Sequence, residues 1–146
     1  GVMMRVSRDF TRRQINLDSI TVGIEPTGLA RMILMFKADD HMAELMHRVL
    51  SRSEPIVDVE VIEPERSIVR EVALLKTKKL DNEKILQVIQ QVERAGGRVL
   101  ESKGGVLIAE LSGEHDEIEK VIKVLGPEAL KEVARSGQVL ISREIT

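Results

Sequence analysis

At 146 residues the chain can form one domain or two small modules, and 42% hydrophobic with 32% charged residues is the balance of an ordinary globular protein. A net charge of −2 gives no general drive toward nucleic acid or anionic membrane, no apolar run approaches the roughly 20 residues of a membrane-spanning helix, and the lack of cysteine excludes disulfides and thiolate metal sites. Phe10 and Phe36 are the only aromatic residues, so the core must rest on Val, Ile, Leu and six Met, with no platform for stacking bases. No signal-peptide pattern opens the sequence, and the default expectation is a cytoplasmic protein with no membrane partner.

Val2, Met3, Val6 and Phe10 recur at three- and four-residue spacing and predict a short helix, with Arg12 and Arg13 at its carbonyl end where positive charge suits the dipole. Ile20, Val22 and Ile24 then alternate with Thr21 and Gly23, the pattern of a half-buried strand. Ile15 and Leu17 precede them in the opposite parity, which predicts a bulge near Asp18–Ser19. A helix starting at a glycine and feeding a strand through Asn16 is expected to leave polar sites facing each other, because free N–H groups at a helix start attract a carboxylate. On residue chemistry alone, Gly1 reads more readily as a turn residue and Asn16 as a helix-exit residue than as a binding site.

Glu25-Pro26-Thr27-Gly28 is a turn, and the apolar run Met32–Phe36 after it is a strand buried on both faces or meeting another subunit on one of them. Asp39 or Asp40 can cap a helix whose Met42, Leu45, Met46 and Val49 share a face. After Pro55, Val57, Val59 and Val61 alternate with Asp58 and Glu60, predicting another strand. Beyond the linker Glu63-Pro64-Glu65 the period restarts. A strand over 67–78 leads to a helix capped by Asp81 or Asn82, with Ile85, Ile89 and Val92 on one face and Gly96-Gly97 at its end. Residues 98–102 and 106–111 form a hairpin through Lys103-Gly104-Gly105, with Gly113 breaking the second strand. Ile118, Val121, Ile122 and Leu125 mark a last helix stopped at Gly126-Pro127, and one or two strands follow around Gly137. The second half therefore reads βαββαβ. The first half reads αββαβ, one strand short of the same order.

The opening GVMMRV…F.RR..N.DSITVG, together with Val57 to Lys76 and Glu132 to Glu144, resembles the regulatory (small) subunit of acetohydroxyacid synthase, also called acetolactate synthase, over nearly the whole chain and in the same order. The resemblance implies an α+β fold of tandem ferredoxin-like βαββαβ modules: an ACT domain over residues 1–63 and a C-terminal ferredoxin-like domain over 66–146. In the family the first ACT strand ends in a loop Asn-x-Pro-Gly whose glycine matches Gly1, so the ACT domain is expected to lack that strand here, with the natural polypeptide starting earlier. By the same resemblance, Gly1, Val2 and Met3 at the helix start and Asn16 and Leu17 at the strand entrance line an effector pocket between two ACT domains of a homodimer. A branched-chain amino acid, valine foremost, is the implied effector. The implied partner is the catalytic large subunit, which carries thiamine diphosphate, Mg²⁺ and FAD, so no cofactor is assigned to this chain. Gln14 stands where the family usually has glycine, and the turn into the strand is therefore expected to differ.

Enzymatic signatures are weak. His41 and His47 lie six apart, about 240° round a helix, and cannot chelate one metal from one face. His115 reads as an exposed polar residue and the acidic residues as solvated surface. No nucleophile elbow, P-loop or dinucleotide motif occurs. Arg5, Arg8, Arg12 and Arg13 favour a helix end or a protein contact over DNA, since Asp9 interrupts them. A free-standing amino-acid sensor controlling transcription is the alternative, and it lacks a DNA-reading element. A small ferredoxin-like enzyme is a third reading, and it lacks a catalytic cluster.

Overall fold

The helical spacing of Val6 and Phe10 materialises as α1, Val2–Arg12, which buries both residues. The computed structural model describes residues 1–145. They divide into two units, residues 1–68 with 140–145 and residues 69–139.

In the first unit α1 leads through a tight turn to β1, Leu17–Ile24, which pairs antiparallel with β2, Ala30–Phe36. Asp18 is an extra residue between Leu17 and Ser19, at the expected bulge. It brings Ile15 and Leu17 onto the side that Ile20 and Val22 then continue. The turn closes with Gly28 N–H donating to the Glu25 carbonyl at 2.8 Å, and Gly28 takes φ +91°, which a side chain would resist. α2, Asp40–Ser51, is capped by the Asp39 carboxylate accepting from Met42 N–H at 2.8 Å. Val6, Phe10, Met46 and Leu50 form the core, and the two phenylalanines meet edge to face with centroids 4.9 Å apart.

The strand expected around Val57–Val61 does not form. Val57 and Val61 are exposed, while Ile56 and Val59 pack against the core. Local bonds occupy the backbone instead: His47 Nε2–H donates to the Val59 carbonyl at 2.9 Å, and Val59 N–H donates to Asp58 Oδ1 at 3.0 Å. Alternation supplies a strand's faces, whereas a ladder also needs a neighbour's backbone groups.

Pro64–Arg66 makes a single 3₁₀ turn into β3, Ser67–Thr77. The second unit continues with α3, Asn82–Arg94; β4, Arg98–Lys103; β5, Val106–Gly113; α4, His115–Ala129; and β6, Leu130–Arg135. The sheet runs β4-β5-β3-β6 with every pair antiparallel, the ferredoxin-like arrangement that the αβ pattern of this half predicts. A last strand, β7, Val139–Ser142, pairs with β3, and Arg143 N–H beyond it donates to the Arg66 carbonyl at 2.9 Å. Asp81 caps α3, and Gly104 and Gly105, at φ +61° and +81°, give the hairpin its two left-handed residues. β3 alternates strictly: Glu71, Ala73, Leu75 and Thr77 point inward, Val72 and Leu74 outward. The core joins Ala73 and Leu75 to Val88 and Val92 of α3, Leu107, Ala109 and Leu111 of β5, and Ile118, Val121 and Leu125 of α4. Two boundaries differ from expectation. β5 runs through Gly113, and Gly126 (φ +68°) with Pro127 kinks α4 before a last turn to Ala129.

Candidate functional site

The candidate residues sit at the two ends of α1. Gly1 is its N-cap without a side-chain bond, no acidic residue occupies the first turn, and the leading N–H groups of such a helix have no intrahelical acceptor. Val2 and Met3 beside them are partly exposed, and Met3 lines a shallow hollow of about 400 Å³ with Met4, Ser7, Arg8, Thr11 and Arg12. A side chain built on Gly1 would meet nothing within 4 Å, so packing in this chain does not demand a glycine there.

At the other end the chain turns sharply. Phe10 O accepts from Arg13 N–H at 3.1 Å and from Ile15 N–H at 3.0 Å, and Gln14 N–H donates to Thr11 O at 3.0 Å. Gln14 takes φ +57°, the left-handed geometry that a glycine adopts at a helix exit. The backbone thus takes a conformation that suits glycine, and the glutamine bears the strain. Asn16 follows, exposed, while Leu17 is half-buried against the core. Asn16 lines an open depression of about 450 Å³ with Arg13, Asp18, Lys37 and Asp39, among others. The sequence reading did not single out Lys37. It is brought there by the β1–β2 pairing, which sets the end of β2 beside the start of β1.

Within one chain the two groups do not face each other. The 11 residues of α1 rise about 16 Å, so Gly1–Met3 and Asn16–Leu17 lie at opposite ends of a rod. Neither depression holds residues of both candidate groups, Gly1–Met3 and Asn16–Leu17.

The second unit holds a charged cluster that the sequence reading took for surface. Glu71 is 4% exposed, at an inward position of β3. Arg135 of β6 forms ion pairs with Glu71 and with Glu119 of α4, and His115 Nδ1 lies 3.1 Å from Glu71 Oε1. Partial burial works against the Arg135 charge, but its hydrogen bonds to Glu71 and Glu119 prevail and hold its pKa above the ordinary arginine value. The Arg135 hydrogen bond likewise keeps Glu119 below the usual glutamate range, against the cost of desolvation. His115 is therefore half-exposed and engaged rather than simply solvated. The available signal was a carboxylate at a buried strand position, which requires a partner. Among the described residues no group of three or more His, Asp or Glu is placed to hold a metal, and no helix is long and apolar enough to cross a membrane.

Comparison with known proteins follows the division of the chain. A family model described as an AHAS small subunit-like ACT domain matches residues 1–57, and one described as the small subunit of acetolactate synthase matches residues 70–144. The chain is 31% identical over 144 residues to a probable acetolactate synthase small subunit of Methanothermobacter thermautotrophicus, covering 98% of this chain and 86% of the relative. It is also 31% identical to the acetolactate synthase small subunit of Mycolicibacterium smegmatis, covering 98% and 84%. The crystal structure of an acetolactate synthase small subunit from Thermotoga maritima is similar to all of this chain and 91% of its own, with TM-score 0.89 and 33% identity.

Proposed function

The chain belongs to the acetolactate synthase small-subunit family, and from that premise we propose that it is the non-catalytic regulatory partner of a catalytic large subunit, raising its activity and making it sensitive to valine. Residues 1–63 act as the ACT effector domain and 66–146 as the C-terminal domain. Thiamine diphosphate, Mg²⁺ and FAD belong to the large subunit. What carries the reading is the likeness to small subunits along the whole chain.

The effector pocket forms at the seam of a homodimer. Two α1 helices related by a two-fold axis run antiparallel, so the start of one lies beside the end of the other. Gly1, Val2 and Met3 then meet Asn16 and Leu17 of the partner subunit. This removes the separation that keeps the two groups apart in one chain. The helix-start N–H groups hold the effector carboxylate, the Asn16 amide binds its ammonium or carboxylate, and Val2, Met3 and Leu17 contact a branched side chain. Valine shifts the subunit between states by no more than its difference in affinity for them.

Calorimetric titration of valine, with leucine and isoleucine as comparators, tests the reading. Saturable valine binding that Asn16→Ala abolishes is the expected result. Absence of binding by all three amino acids removes the feedback sensor from the proposal.

A further inference from the structure

The depression at the exit of α1 holds four charged side chains around Asn16, and the chain itself uses two of them. Arg13 is turned back along the helix, its Nη1–H donating to the Asp9 carbonyl at 2.9 Å. Asp39 caps α2, with Oδ1 accepting from Met42 N–H at 2.8 Å. Lys37 and Asp18 are exposed, and among the described residues neither side chain forms an ion pair or a hydrogen bond. Their places follow from the ladder. Leu17 is paired with Phe36, so Lys37, the next residue, comes to stand across from Asn16. Asp18 is the extra residue of the bulge on the other side of Leu17, and a bulge re-aims the side chain it carries.

A lysine on a solvated surface needs no partner. What singles out Lys37 is that it shares one depression with a free opposite charge and with an amide that can both donate and accept. One positive and one negative group flanking such an amide complement the charged end of an α-amino acid. We propose that Lys37 and Asp18 read that end of the effector. The Lys37 ammonium binds the carboxylate together with the helix start of the partner subunit, and the Asp18 carboxylate binds the ammonium. Asn16 bridges the two, its amide N–H donating to the carboxylate and its carbonyl accepting from the ammonium. This assignment rests on the seam pocket proposed above and adds the selection that the pocket performs. A ligand lacking one of the two charges, such as the α-keto acid with the side chain of valine, leaves Asp18 unanswered in a site closed by the second subunit. It is rejected for that reason, although its apolar part is the same.

Calorimetric titration of the full chain tests the assignment. Lys37→Met and Asp18→Asn are each expected to weaken valine about tenfold, while Lys37→Arg keeps most of the affinity. Leucine and isoleucine lose the same factor, since the substituted groups meet only the headgroup that all three share. Two ligands separate charge reading from a structural role. Valinamide, which lacks the carboxylate, is indifferent to Lys37→Met, and the α-keto acid, which lacks the ammonium, is indifferent to Asp18→Asn. Both side chains are exposed, so thermal midpoints without ligand stay at the wild-type value. Valine affinity unchanged in either variant overturns the assignment and leaves the seam pocket standing. So does a loss of valinamide or of the keto acid by the same factor as valine, because the ligand's charge is then not what these residues meet. A wild-type chain that binds none of the three amino acids overturns the assignment and the feedback sensor together.

Discussion

Gln14 shows how much a single backbone angle decides. A left-handed residue closes α1 and starts β1, and placing a glutamine there costs on the order of 1–2 kcal/mol of steric strain. Glycine removes that strain but gives up about 0.5–1 kcal/mol in chain entropy, so Gln14→Gly is expected to stabilise the first unit by roughly 0.5–1 kcal/mol. Urea unfolding with unchanged m-value checks this, and a destabilised variant would show that the glutamine side chain makes compensating contacts. The turn itself was legible in the sequence, since Asn16 marked the exit from the helix, and the parity change after Leu17 marked the bulge that follows. The left-handed angle at Gln14 was not, because glutamine carries no preference for it.

At the scale of elements, β3 illustrates the limits of pattern reading. Its alternation was plain, but an inward Glu71 looks identical to a surface glutamate until α4 and β6 close over it. Burial makes its ion pair with Arg135 matter: Arg135→Ala strands a buried carboxylate and is expected to cost about 3 kcal/mol in denaturant unfolding. The partly exposed pair with Glu119 acts mainly through pH. Because Arg135 holds the Glu119 carboxyl below its ordinary 4.5 in the folded state, the stabilisation is complete above pH 4.5 and is lost as pH falls through the lowered value. Thermal midpoints should therefore drop on acidification below pH 4.5, and less steeply in Glu119→Gln. Identical acid slopes in both proteins count against this coupling. The alternating residues 57–61 are the converse case, a strand pattern without a strand, since no ladder reaches them.

At the scale of the whole molecule, the proposed role is realised on a partner. Added to a purified large subunit, the chain is expected to raise the rate of acetolactate formation, and valine to reduce that gain. A rate indifferent to the chain points instead to a free-standing sensor. The sequence by itself determined the local periods, the turns and caps, the βαββαβ order of the second half and the family. Each of these is carried by neighbouring residues or by a linear match along the chain. Only the tertiary structure decided that Gly1 and Asn16 are held a helix length apart, that Glu71 is buried against Arg135, and that Lys37 stands beside Asn16. The physical reason is common to all three. Periodicity tells a segment which face it will bury, but whether a charge is paired or an apolar face is covered depends on groups that are distant in sequence and meet only when the chain packs.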